Sequence, residues 1–170
     1  MRSISKLMLD HWPLTGACAS AAMLAAAHAF ETFGGYAPCH LCFYQRDVYW
    51  AALAVGVAGF ALGYMRLRWS GRVASGLLAL IFLVGCGVAA YHAGVEWKWW
   101  PGPASCTGGG GGIKATDLAA FMSGTKVHAP MCDEAAWRMF GISMAGYNAV
   151  ISLILAALSV VATRKDAAVD

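Results

Sequence analysis

Residues 73–93 read VASGLLALIFLVGCGVAAYHA and contain no Asp, Glu, Lys or Arg. About 17–25 predominantly apolar residues suffice for a helix to cross the hydrocarbon of a bilayer, and this stretch has that length and composition. Residues 48–65 and 142–163 are equally free of charge, and residues 14–33 form a fourth window that holds His28 and Glu31 near its end. Together they explain why only 12% of the 170 residues are charged and 59% are hydrophobic, where a soluble domain carries about 25% charge. The expected fold is therefore all-α: a single membrane domain over residues 1–170, built as a four-transmembrane-helix bundle.

Basic residues give the orientation. Arg2 and Lys6 precede the first window, Arg66, Arg68 and Arg72 lie between the second and third, and Arg164 and Lys165 follow the fourth. With four spans these segments share one side, which the positive-inside rule makes cytoplasmic. The opposite side receives a short loop, 34–47, and a long one, 94–141. The long loop has its own Lys98, Lys114, Lys126 and Arg138, so the bias is one of charge density. Asp10, His11 and Pro13 interrupt the place where a leader's apolar region would begin, so no cleaved signal is expected. Topology accounts for the net charge of +3. No basic-aromatic stripe points to nucleic acid.

The long outer loop falls into distinct pieces. Glu96-Trp97-Lys98-Trp99-Trp100-Pro101 places aromatic rings where a membrane interface favours them. Five glycines, Gly108 to Gly112, follow Cys106 and Thr107; they read either as a plain linker or as a flank that lets Cys106 swing between partners. Thr116-Asp117 resembles a helix start, with Leu118, Phe121 and Met122 on one face of a short surface helix.

Six cysteines divide by expected depth. Cys18 and Cys86 fall inside spans, where a free thiol acts as a small apolar residue. Cys39, Cys42, Cys106 and Cys132 all fall on the outer side. Three readings compete for these four: static disulfides, a metal site using the Cys39-x-x-Cys42 spacing, and redox catalysis. A c-type haem is excluded because His40 lies inside the pair and does not follow Cys42. Arg46 favours redox chemistry. Thiolate is the reactive form of cysteine, and cations or a helix N-terminus promote it. If the second helix begins near Cys42, its unpaired N–H groups favour an anion there, and Arg46, four residues on, shares that face. An arginine at the hydrocarbon boundary also needs an anionic partner or ligand, and Asp47 and Glu31 are the local candidates. His92 ends the third window at the same depth, suited to a quinone carbonyl, a proton relay or plain interfacial duty. Tyr44, Tyr91 and Trp50 are candidate ring neighbours or aromatic-belt residues.

Pro38-Cys39-His40-Leu41-Cys42-Phe43-Tyr44-Gln45-Arg46, Tyr91-His92-Ala93-Gly94-Val95-Glu96 and Cys132 upstream of the last window resemble the DsbB family, disulfide bond formation protein B of bacterial inner membranes. The resemblance covers nearly the whole chain. It implies a periplasmic face for the outer loops, an inner-membrane location with both termini cytoplasmic, and a thiol:quinone oxidoreductase. It further implies that Cys106 and Cys132 form a disulfide that oxidises a periplasmic DsbA-like protein of thioredoxin fold. Cys106 is then the sulfur attacked by the partner, and Cys132 engages Cys39. Electrons pass to the Cys39–Cys42 pair, and Cys42 donates to membrane quinone, with Arg46 and His92 as quinone-binding residues. Ubiquinone is the expected cofactor, menaquinone the alternative, and no metal is expected. Rival readings are a DsbB relative dedicated to one partner, a vitamin K epoxide reductase-like enzyme, a zinc-binding membrane protein, and a membrane scaffold braced by static disulfides. The epoxide reductase likeness would need the Cys-x-x-Cys in a late helix.

Overall fold

In the computed structural model, which describes residues 8–65, 67, 69–103, 106 and 131–167, the apolar windows lie in four helices long and apolar enough to span a membrane. They are α1 (Trp12–Thr32), α2 (His40–Tyr64), α3 (Ser70–Glu96) and α4 (Met144–Ala167). The glycine run and the short helix expected from Thr116 lie outside the described residues. Helix α2 starts at His40, eight positions before its uncharged window begins at Val48, so Cys42, Arg46 and Asp47 sit on its first turns. The chain reverses between α1 and α2 through residues 33–39.

Packing follows from what hydrocarbon cannot do. Between helices immersed in lipid, close backbone approach and interhelical hydrogen bonds supply the cohesion, because lipid is as apolar as leucine. Here α3 packs chiefly on α4 and α2, and α1 packs on α2. The shared core contains Trp12, Leu24, Tyr49, Leu78, Phe82 and Leu155. Ser20, Ser75, Ser152 and Ser159 are fully buried, and the Trp12 indole N–H donates to Ser159 Oγ at 2.9 Å, tying α1 to α4. The outer surface carries Leu80, Leu83, Val84, Val150 and Leu153, all exposed, as a lipid-facing surface requires.

Glycine sets the α1–α2 spacing. A Cβ placed on Gly56 would meet the Pro13 carbonyl oxygen at 2.6 Å and the Ala17 Cβ at 2.9 Å. Gly56→Leu is therefore expected to push the helices apart and to cost about 1–3 kcal/mol, the usual range for overpacking. The check is a lower thermal midpoint in detergent, and an unchanged midpoint would contradict this spacing role.

Two terminal devices were not expected from the sequence. At the end of α3, Lys98 adopts φ 62°, its N–H donates to Val95 O at 3.0 Å, and Trp99 N–H donates to Gly94 O at 2.9 Å. This is a Schellman closure with lysine in the usual glycine place. Ahead of α4, Arg138–Met139 pairs antiparallel with Ile142–Ser143, joined by Phe140 and Gly141 at φ 51° and 80°.

Candidate redox site

Cys39 caps α2. Its backbone is extended (φ −80°, ψ 174°), and its sulfur accepts the Cys42 backbone N–H at 3.4 Å, as an N-cap side chain satisfies a first-turn donor. The same turn brings the two free thiols of Cys39 and Cys42 to 2.9 Å. They differ in access: Cys39 is 5% exposed, whereas Cys42 is half-buried. The Cys42 hydrogen bond first, and burial second, push the Cys39 thiol above its ordinary range.

Cys106 and Cys132 form a disulfide closing 26 residues. Both are buried, and with Cys39, Leu41 and Val95 they form one hydrophobic cluster against which Cys42 packs. The four outer cysteines thus meet at one place, at the junction of α2, the end of α3 and the segment leading to α4. Lys98 holds that segment through Asp133 Oδ2 at 2.5 Å. This hydrogen bond, partly offset by desolvation, leaves the Asp133 carboxyl below the usual range. The tether is present at neutral pH and is lost as pH falls through that lowered value. Cys18 and Cys86 lie in α1 and α3, away from this cluster.

Arg46 lies one turn beyond Cys42. Its Nη1 donates to Glu31 Oε2 at 2.7 Å and its Nη2 to Ala27 O at 3.3 Å, bridging α2 to α1, while the guanidinium stands 5.7 Å from the Phe43 ring centre. Of the two acids flagged by the sequence, Glu31 is the partner found here. Among the described residues, three of the five guanidinium N–H groups are left for a further acceptor.

His92 is buried beneath the cysteines. Its Nε2 lies 3.6 Å from Cys39 Sγ and 3.7 Å from Glu96 Oε1. On the other edge, Nδ1 is 2.7 Å from the Gln45 amide nitrogen. Gln45 continues to Asn148, Asn148 to Tyr49, and Tyr49 to Ser152. Among the described residues, the sulfurs of Cys39 and Cys42 and a His92 nitrogen are the atoms grouped closely enough for a metal, all within 4.8 Å of one another. A site of four cysteines is not formed, because Cys106 and Cys132 are bonded to each other.

The whole chain can now be set against known proteins. The family model for "Disulfide bond formation protein DsbB" matches residues 10–162, which contain all four helices' apolar stretches and all four outer cysteines. The chain belongs to the DsbB family. As a DsbB protein it is an integral membrane protein and an oxidoreductase of disulfide bond formation. It is similar to the "Disulfide bond formation protein B" of Dechloromonas aromatica (strain RCB), 29% identical over 96% of this chain and 98% of that one. No solved structure matches it.

Gln45, Glu96 and Asn148 escaped the sequence reading as site residues. Asn148 is a polar residue within an uncharged window, where such side chains face the bundle interior, whereas Gln45 and Glu96 lie just outside theirs, inside the two quoted motifs. Gln45 and Asn148 find partners 47 and 103 positions away in the chain.

Proposed function

We propose that this DsbB protein oxidises a periplasmic dithiol protein of DsbA type and passes the electrons through Cys106–Cys132 and Cys39–Cys42 to membrane quinone. The observation that carries this reading is the burial of Cys39 in one cluster with Cys106 and Cys132 while Cys42 stays partly open. The closed sulfur faces the loop disulfide. The open one is left for an acceptor arriving from the bilayer.

In this account the partner's thiolate attacks Cys106 Sγ. The Cys106–Cys132 bond breaks, and Cys132 leaves with the electron pair. With Cys39 and Cys42 in their oxidised, disulfide-bonded form, Cys132 then attacks Cys39 Sγ. The Cys39–Cys42 bond breaks, Cys132–Cys39 forms and Cys42 leaves as a thiolate, while the partner's second thiolate breaks the partner–Cys106 bond and frees Cys106. The first turn of α2 and Arg46 favour negative charge at Cys42. The donors fit a quinone: a half-open sulfur, a guanidinium with spare N–H groups and a lipid-facing approach bind a flat ring carrying carbonyl oxygens. When bound there, a quinone accepts two electrons and two protons. Ubiquinone is the expected form. The reading places the protein in the bacterial inner membrane with both termini cytoplasmic, where Arg72, Arg164 and Lys165 gather at one end of the bundle.

Arg46→Met is expected to raise the KM for quinone by about 10–100-fold, the loss of a charge-assisted hydrogen bond of about 1.5–3 kcal/mol. Exchange between the two cysteine pairs should change much less. Steady-state kinetics against a soluble ubiquinone analogue provide the check, and an unchanged KM would remove Arg46 from the quinone site.

A further inference from the structure

The buried polar chain between α2, α3 and α4 has a direction. Gln45 Nε2 lies 3.4 Å from the Leu41 carbonyl oxygen, which only accepts, so this end of the side chain is the amide NH2 donor. The same nitrogen then donates to His92 Nδ1 at 2.7 Å. Gln45 Oε1 accepts from Asn148 Nδ2 at 2.5 Å, which leaves Asn148 Oδ1 to accept the Tyr49 hydroxyl at 2.5 Å. The Tyr49 oxygen, having donated its proton, accepts from Ser152 Oγ at 2.9 Å.

The two edges of the imidazole therefore differ. Nδ1 faces a donor and must be unprotonated. A neutral imidazole carries one N–H, so the proton sits on Nε2, which faces Cys39 Sγ and Glu96 Oε1. Gln45, Asn148 and Tyr49 are all buried, where a chain with one reversed member would strand polar atoms without partners. His28 shows the opposite tautomer, with Nδ1 2.8 Å from the Leu24 carbonyl oxygen.

We propose that Tyr49, Asn148 and Gln45 are positioning residues: a one-way hydrogen-bond relay that holds His92 as its Nε2–H tautomer with that proton aimed at the Cys39 sulfur. No proton passes along the amides; the relay fixes which nitrogen bears it. The chemical need is at Cys39. When Cys106 attacks Cys132 of a Cys39–Cys132 bond, Cys106–Cys132 forms, Cys39–Cys132 breaks, and Cys39 keeps the electron pair. A thiolate there is buried among apolar groups and leaves slowly unless a donor stabilises it. The Nε2–H of His92 is that donor. The same tautomer argues against a metal on Cys39, Cys42 and His92, since coordination through Nε2 would require the proton on Nδ1. The inference rests on the proposed function in treating Cys39 as an exchanging sulfur.

The test uses the full chain in detergent with Cys39 and Cys42 reduced. Nitrogen-15 spectra of histidine-labelled protein, assigned with His92→Phe, should show His92 with a protonated Nε2 and a bare Nδ1. The Cys39–Cys42 pair is then equilibrated with a glutathione buffer. Asn148→Leu should lower its reduction equilibrium constant about tenfold, about 30 mV towards harder reduction, and should add little in the His92→Phe background. Tyr49→Phe, which removes only a hydroxyl, should shift it the same way by about threefold and keeps the test open if Asn148→Leu does not fold. A wild-type His92 with its proton on Nδ1 would overturn the proposal. So would an Asn148→Leu or Tyr49→Phe shift that persists undiminished without His92. Neither readout involves quinone, so failure of quinone reduction would count against the proposed function and leave this inference standing or falling separately.

Discussion

Cys42→Ser is expected to reduce the rate of quinone reduction by the pre-reduced protein to background. Two-electron donation from a dithiol ends in a disulfide, and with one sulfur removed no disulfide can form at this site. No other described free thiol can substitute. Cys18 and Cys86 sit on α1 and α3 outside the cysteine cluster, and Cys39, 5% exposed, is shut in behind its partner. Cys86→Ser should keep the wild-type rate and thereby show that the loss belongs to the site and not to thiol content. Full turnover by Cys42→Ser would remove Cys42 as the donor and with it the proposed route.

Cys106→Ala should separate the two halves of the route. Oxidation of a reduced DsbA-like partner should fall to background, because the sulfur that receives the partner's attack is gone. Quinone reduction by the same variant, with Cys39 and Cys42 pre-reduced, should stay within about twofold of wild type. The variant also loses the cross-link over 26 residues, whose chain-entropy contribution is about 3.5 kcal/mol. The pre-reduced wild type lacks that cross-link as well, so comparing the two in the quinone assay removes the stability effect. Loss of quinone reduction in the variant alone would tie Cys106 to the membrane-side chemistry and contradict the division of labour.

Much of this fold was legible because hydrocarbon imposes a simple rule. An uncharged stretch of spanning length has few alternatives: 73–93 lies within α3, and all but the first two residues of 142–163 lie within α4. The start of α2 was harder to place from charge alone, since Arg46 and Asp47 break the uncharged run while the helix continues to Cys39, whose own sulfur caps it. The hairpin at Phe140-Gly141 was invisible because a tight hairpin turn is recognised by Asn-Gly or Asp-Gly, and phenylalanine in a left-handed conformation gives no such signal. The cysteine motif and Arg46 could be found locally, as both lie within two turns of one helix. The relay from Tyr49 to His92 could not. It joins residues of three helices, and only their packing decides whether Gln45 and Asn148 face each other or other polar groups.

The most direct test of the central claim is anaerobic quinone reduction by the purified, pre-reduced protein, with free thiols counted alongside the ultraviolet change of a soluble ubiquinone analogue. The account predicts that two thiols disappear for each quinone reduced, and that neither change occurs in Cys42→Ser. A protein whose thiols persist while quinone stays oxidised would instead be a scaffold braced by its disulfides, and the proposed electron route would be wrong.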